Sequence, residues 1–161
     1  MAVQIIVDST ADFSAKEIEK RQITCIPMTV TFGNEQYIDG VDLTKEEFFV
    51  KLTNEKEFPK TSQPSPAKFA DCFEEAKENG DDVVAILVSG ALSGTVQSAT
   101  IAKDIAEHDG VYIVDSKSAT LGIRLLVDRA VRMRDQGKSA KEIADALDEL
   151  KARVRIFAGL D

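Results

Sequence analysis

The sequence predicts an α/β fold: a mostly parallel β-sheet with flanking helices and an antiparallel hairpin attachment. Three observations carry this reading. Short apolar runs rich in β-branched residues recur at 4–9 (QIIVDS), 23–32 (ITCIPMTVTF), 83–89 (VVAILVS), 111–116 (VYIVDS) and 155–161 (RIFAGLD). Each except the last is followed by a helix-like or polar segment, the alternation that a parallel sheet requires of its crossovers. The runs are continuous rather than alternating, as strands covered on both faces are.

Taken in order, the helices announce themselves by their first residues. Ser14 with Glu17, Thr44 with Glu47, and Ser139 with Glu142 have the capping-box spacing, in which a hydroxyl and a carboxylate satisfy free backbone amides reciprocally. Gly33-Asn34 between apolar runs predicts the β-hairpin. Ser65 is placed to cap a helix that starts at Pro66, buries Phe69, Phe73 and Ala76, and stops at Gly80. After Ser139, the positions Ile143, Ala146, Leu147, Leu150 and Val154 keep helical spacing. Arg155 to Leu160 is expected to be a buried strand, and the chain stops at Asp161 with nothing to cover it; a truncated chain is the expectation.

The 161 residues suffice for one sizeable core, and one α/β domain over 1–161 is the default. The net charge is −8, with 9 basic against 15 acidic groups in residues 1–80. That balance argues against a nucleic-acid partner, which needs clustered Lys and Arg. The acidic first half reads as a solvated face or a partner surface. Cys25 and Cys72 lie far apart in apolar segments, without metal-ligand or redox spacing, and are expected to be reduced, buried thiols. No apolar run approaches bilayer length, and the first strand opens without a signal peptide, so a cytoplasmic location is expected.

Three strands end on polar side chains, at Asp8-Ser9, Ser89 and Asp115-Ser116. In open parallel sheets ligands bind outside the carboxyl ends of the strands, although Asp and Ser there also cap helices. The segment VSGALSGTVQSA (88–99) places Ser93 between glycines, just before a helix whose free amides favour an anion. It is neither a Walker loop, lacking Lys after Gly94, nor the GxSxG elbow of hydrolases. The single histidine, His108, stands at a helix C-terminus, where terminal carbonyls are its expected partners. In KTSQPSP (60–66), Ser65 and Pro66 belong to the helix start. Thr61 and Ser62 are left over, in a backbone stiffened by Pro59 and Pro64, and are available to a ligand.

VDSTADF, IPMTVTFGNEQYIDGVDLT, KTSQPSP, ALSGTVQSA and IVDSKSATLG follow one another in the order and spacing of a known group, and from residue 3 to 161 the chain resembles the DegV family of bacterial fatty-acid-binding proteins. That family includes the fatty-acid-binding subunit of fatty acid kinase. The resemblance implies an N-terminal α/β domain that, with a C-terminal domain absent from this chain, encloses a long-chain fatty acid. It implies no catalysis and no cofactor. A partner kinase subunit would phosphorylate the bound carboxylate, giving an acyl phosphate for phospholipid synthesis. By position, Thr61 and Ser93 would contact the carboxylate, while Ser62, Gly94 and Thr95 would shape the pocket.

Two departures stand out. Many members carry Ser-Ser where this chain has Ser89-Gly90, which removes one hydroxyl, and the family continues for about another domain. Two other readings compete: a serine hydrolase using Ser93, which needs a base that His108 about four turns along the next helix does not supply, and a ligand-free regulatory module.

Overall fold

Residues 2–157 are described by the structure, a computed structural model. In chain order the elements are β1 (Val3–Asp8), a single 3-10 turn (Ser9–Ala11), α1 (Ala15–Arg21), β2 (Thr24–Ile26), β3 (Thr29–Phe32), β4 (Glu35–Ile38), α2 (Lys45–Asn54), β5 (Lys60–Ser62), α3 (Pro66–Asn79), β6 (Asp82–Leu87), α4 (Thr95–Ala106), β7 (Val111–Asp115), α5 (Leu121–Asp135) and α6 (Ala140–Lys151).

Four strands pair in parallel in the order β2-β1-β6-β7. Along β6, residues 83–87 are all buried, because alternate side chains enter separate cores. Val83, Ala85 and Leu87 pack with Phe69 and Phe73 of α3 and Ala99 and Ala102 of α4. Val84 and Ile86 pack with Ile123 and Leu126 of α5 and Ile143 and Leu147 of α6. Covering both faces explains the continuous apolar runs.

The hairpin belongs to a second, three-stranded antiparallel sheet in the order β4-β3-β5. Gly33 opens its two-residue turn with φ 55, which favours glycine. The run 23–32 is therefore two strands in two sheets. Pro27, which has no amide to give a ladder, sits at the break, and the next amide, of Met28, donates to Ser9 Oγ at 3.0 Å. Helix α2 covers the small sheet through Phe48, whose ring meets Phe32 edge-on at 5.7 Å between centroids.

All three capping boxes form, at Ser14, Thr44 and Ser139. Ser65 occupies the N-cap of α3 with Pro66 first in the helix, but its side chain makes no capping bond. Gly80 closes α3 at φ 72. Helix α6 ends at Lys151, so Val154 lies past it and only partly buried against the core.

The expected strand at 155–160 is not formed over its described part. Arg155, Ile156 and Phe157 are exposed and outside any strand, and no neighbouring edge pairs with them; Ala158 to Leu160 lie outside the described residues. Cys25 and Cys72 are free thiols, half-buried rather than buried.

Candidate functional site

Strand β5 is the segment that composition concealed. Lys60, Thr61 and Ser62 are exposed and polar, yet they pair with β3, with Thr61 opposite Val30 and Ser62 opposite Thr29. Thr61 is thus held by a sheet ladder as well as by the flanking prolines. Its side chain shares the Val30 face, and Ser62 alternates to the other.

Beyond the carboxyl ends of β1 and β6 lies a cleft of about 510 Å³. Thr61 and Gln63 from one segment and Leu92 and Ser93 from the other line it together, joined by Ser9, Thr10, Asp12, Met28, Asp39, Val88, Ala119 and Thr120. Ser62 is not in this wall. Gly94 and Thr95 stand behind it. A Cβ on Gly94 would lie 2.4 Å from Gln63 Nε2, so the two segments interlock at that glycine. Thr95 is fully buried, and its hydroxyl lies 2.9 Å from Ser93 Oγ.

Of the polar strand ends, Ser9 alone lines the cleft. Asp8 is buried beneath it: one carboxylate oxygen accepts from the Val88 amide at 2.7 Å, the other from the amide of Thr10 at 2.9 Å and from the Thr10 hydroxyl. Burial raises the Asp8 carboxyl above its ordinary range despite these bonds. The Thr10 proton is consumed by Asp8, so that hydroxyl has none left for a ligand. Ser89 and Ser116 are buried in loop bonding, and Asp115 accepts from the Gly90 amide at 3.1 Å while pairing with Lys117.

No Lys or Arg lines the cleft among the described residues, and Lys45 is paired with Asp12 at 2.7 Å. The charged side chains of the lining are the carboxylates of Asp12 and Asp39, and the donors it offers are neutral. At the mouth, the lining Leu92 is 71% exposed and gives the entrance an apolar rim. An adjoining hollow of about 430 Å³ shares Ser9, Asp12 and Asp39 with the cleft and is otherwise walled largely by apolar groups, among them Phe13, Ile18, Ile23 and Leu43. Cys25 lies in it. Burial, then the charges of Asp8 and Asp39, push its thiol up to about 12, so it is no nucleophile.

His108 does not serve Ser93. It stands past the far end of α4, with Nε2 2.8 Å from the carbonyl of Asp81 and Nδ1 accepting from the Gly110 amide at 3.3 Å. Its partner is a carbonyl just past the end of the neighbouring helix α3, not one at the end of its own.

Gln63, Asp12, Asp39 and Thr120 are wall residues that sequence reasoning missed. Gln63 sits inside KTSQPSP and was there to be read. Thr120 likewise sits inside IVDSKSATLG; it adopts φ 44, rare for a β-branched residue, and its amide donates to the Thr10 carbonyl at 3.0 Å.

The cleft can now be set beside known proteins. A DegV domain-containing protein of Caldanaerobacter subterraneus subsp. tengcongensis is 38% identical over 162 residues, covering 99% of this chain and 58% of the relative. A stearic acid-binding protein from Eubacterium ventriosum superposes with a TM-score of 0.83 at 36% identity, over 92% of this chain and 52% of that one. The Streptococcus pneumoniae fatty acid kinase B3 protein, loaded with linoleic acid, superposes with a TM-score of 0.80 at 27% identity, over 94% and 55%. The chain spans about half the length of the relatives it matches. Residues 2–161 match the family model described as uncharacterised protein, DegV family. With the same fold as these proteins and the family-model match across its length, the chain belongs to the DegV family.

Proposed function

We propose that the cleft holds the carboxylate of a long-chain fatty acid through the hydroxyls of Thr61 and Ser93. The observation that carries this reading is convergence: two hydroxyls from separate sequence segments line one cleft at the strand ends, under an apolar rim. Bound fatty acids in similar proteins support it. The half of the relatives outside the match would enclose the acyl tail.

The energetics divide the labour. Burying a methylene contributes about 0.8 kcal/mol, so some fifteen carbons contribute on the order of ten kcal/mol before ordering costs. Each hydrogen bond to a charged group adds roughly 1.5 to 3 kcal/mol. Affinity resides in the tail, and the hydroxyls fix the head.

Neutral donors also suit a carboxylate that must attack phosphorus, since a bidentate Arg would hold it tightly and quiet its nucleophilicity. On this reading the protein presents the fatty acid to a partner kinase subunit in the cytoplasm, giving an acyl phosphate, and is not itself the catalyst. The likeness to a fatty acid kinase B protein supports that role. The hydrolase reading loses its base, because the chain's one histidine is engaged with Asp81 and Gly110 beyond the far end of α4.

Extraction and mass analysis of lipid copurifying with the full-length protein is expected to return long-chain acids. Thr61→Val and Ser93→Ala are each expected to weaken stearate binding by about tenfold. Copurified material without acyl chains, or variants that bind as the parent does, would sink the proposal.

A further inference from the structure

The hydroxyl of Ser93 has a neighbour that decides whether its proton reaches the cleft. Ser93 Oγ accepts from the backbone amide of Thr95 at 3.3 Å and lies 2.9 Å from the Thr95 hydroxyl, and either oxygen of that pair could be the donor. Thr95 is wholly enclosed, and its second partner is Met28 Sδ at 3.8 Å, a weak acceptor. A hydroxyl has one proton, so two arrangements exist. In one, Thr95 donates to Met28 and accepts from Ser93, which turns the Ser93 proton away from the cleft. In the other, Thr95 donates to Ser93 and frees the Ser93 proton to point outward.

We propose that Thr95 is the positioning residue for Ser93: in the empty site its proton rests on Met28 Sδ, and a bound carboxylate switches the pair so that Thr95 donates to Ser93 and Ser93 donates to the ligand. An anion selects the second arrangement because it accepts and cannot donate. Once selected, Ser93 Oγ receives two hydrogen bonds, from the Thr95 amide and hydroxyl. This polarises its own O–H toward the charge, as chained hydrogen bonds do. An alcohol head group gains less, since it can also donate to a Ser93 oxygen in the first arrangement. The wall thereby discriminates acid from alcohol at a position that does not touch the ligand.

The inference rests on the carboxylate reading above, and its test separates the two. Equilibrium binding of stearic acid and of 1-octadecanol is measured for the full-length protein and for Thr95→Val, Thr95→Ser, Ser93→Ala and the Thr95→Val/Ser93→Ala pair. Thr95→Val is expected to weaken the acid about tenfold and leave the alcohol within about twofold, while Thr95→Ser restores the acid. The double variant is expected to bind no worse than Ser93→Ala alone, since the relay ends at Ser93. Equal losses for acid and alcohol, an acid affinity untouched by Thr95→Val, or full additivity in the double variant overturns the relay. An unchanged Ser93→Ala protein overturns the carboxylate reading beneath it. If Thr95→Val does not fold, Met28→Leu decides: removing the resting acceptor is expected to raise the acid-to-alcohol affinity ratio, and a ratio that stays or falls overturns the switch.

Discussion

Gly94 needs no special backbone angle: its φ is −74, open to any residue. What it gives is room, because Gln63 lies where a side chain would begin. The obstructing atoms are the far end of a flexible side chain, so Gly94→Ala is expected to fold with a loss of less than about 1 kcal/mol. The displaced Gln63 should instead disturb the cleft wall and weaken fatty acid binding. Chemical denaturation together with a stearate titration checks both halves; a large stability loss with binding intact would place the role of Gly94 in the fold rather than the wall. Thr61, Ser93 and the glycine beside them could be singled out in the sequence because hydroxyls and glycines cluster around proline and helix starts. Asp39 and Thr120 lie inside quoted motifs as well, but no hydroxyl-glycine cluster or periodicity marks them out, because they reach the cleft through loop paths.

Among the elements, the capped helices were the most legible, since a capping box is a local contract between residues three apart. The same locality makes them acid-sensitive. The Ser14 amide and hydroxyl, and then Arg124, hold Glu17 down at about 2; the Ser139 amide, Lys138 and the Ser139 hydroxyl do the same for Glu142. Both carboxyls are depressed in the folded state, so their contribution is complete above the ordinary value of 4.5 and is lost as pH falls from there toward about 2. Far-ultraviolet circular dichroism is expected to show earlier thermal fraying of α1 and α6 across that window. Glu17→Gln with Glu142→Gln should flatten the pH dependence; an unchanged acid profile would remove the boxes as its source. Strand β5 marks the opposite limit. Lys-Thr-Ser carries no apolar signal because an edge strand buries little, and its existence depends on the hydrophobic β3 beside it. The expected strand from Arg155 is not formed over its described part: Arg155 to Phe157 are exposed and pair with neither of the open edges, β2 and β7, of the main sheet.

For the molecule as a whole, alternation of runs and helices was enough to predict a parallel sheet and Gly33-Asn34 the hairpin of the second sheet, whereas the pairing of β5 with β3 is a long-range one that no local pattern encodes. The two bodies differ in depth of burial. Leu126 is fully enclosed beneath the main sheet, while Phe48 is only half-buried over the small one. Leu126→Ala is therefore expected to cost about 2 to 5 kcal/mol and to lower the midpoint of a single cooperative unfolding transition. Phe48→Ala should cost less and act first on amide exchange in β3 and β4. Urea titration with hydrogen exchange distinguishes these outcomes; equal costs would mean that the small sheet is as integral to the core as the large one.

Thr61 rides on the antiparallel sheet and Ser93 on the loop after β6 of the parallel one. In polymer terms, a head group spanning them is a reversible cross-link that closes a loop of about thirty residues between β5 and the start of α4. On the proposed reading, the ligand would therefore do mechanical service for the protein, fastening one sheet to the other while bound and releasing that tie on leaving.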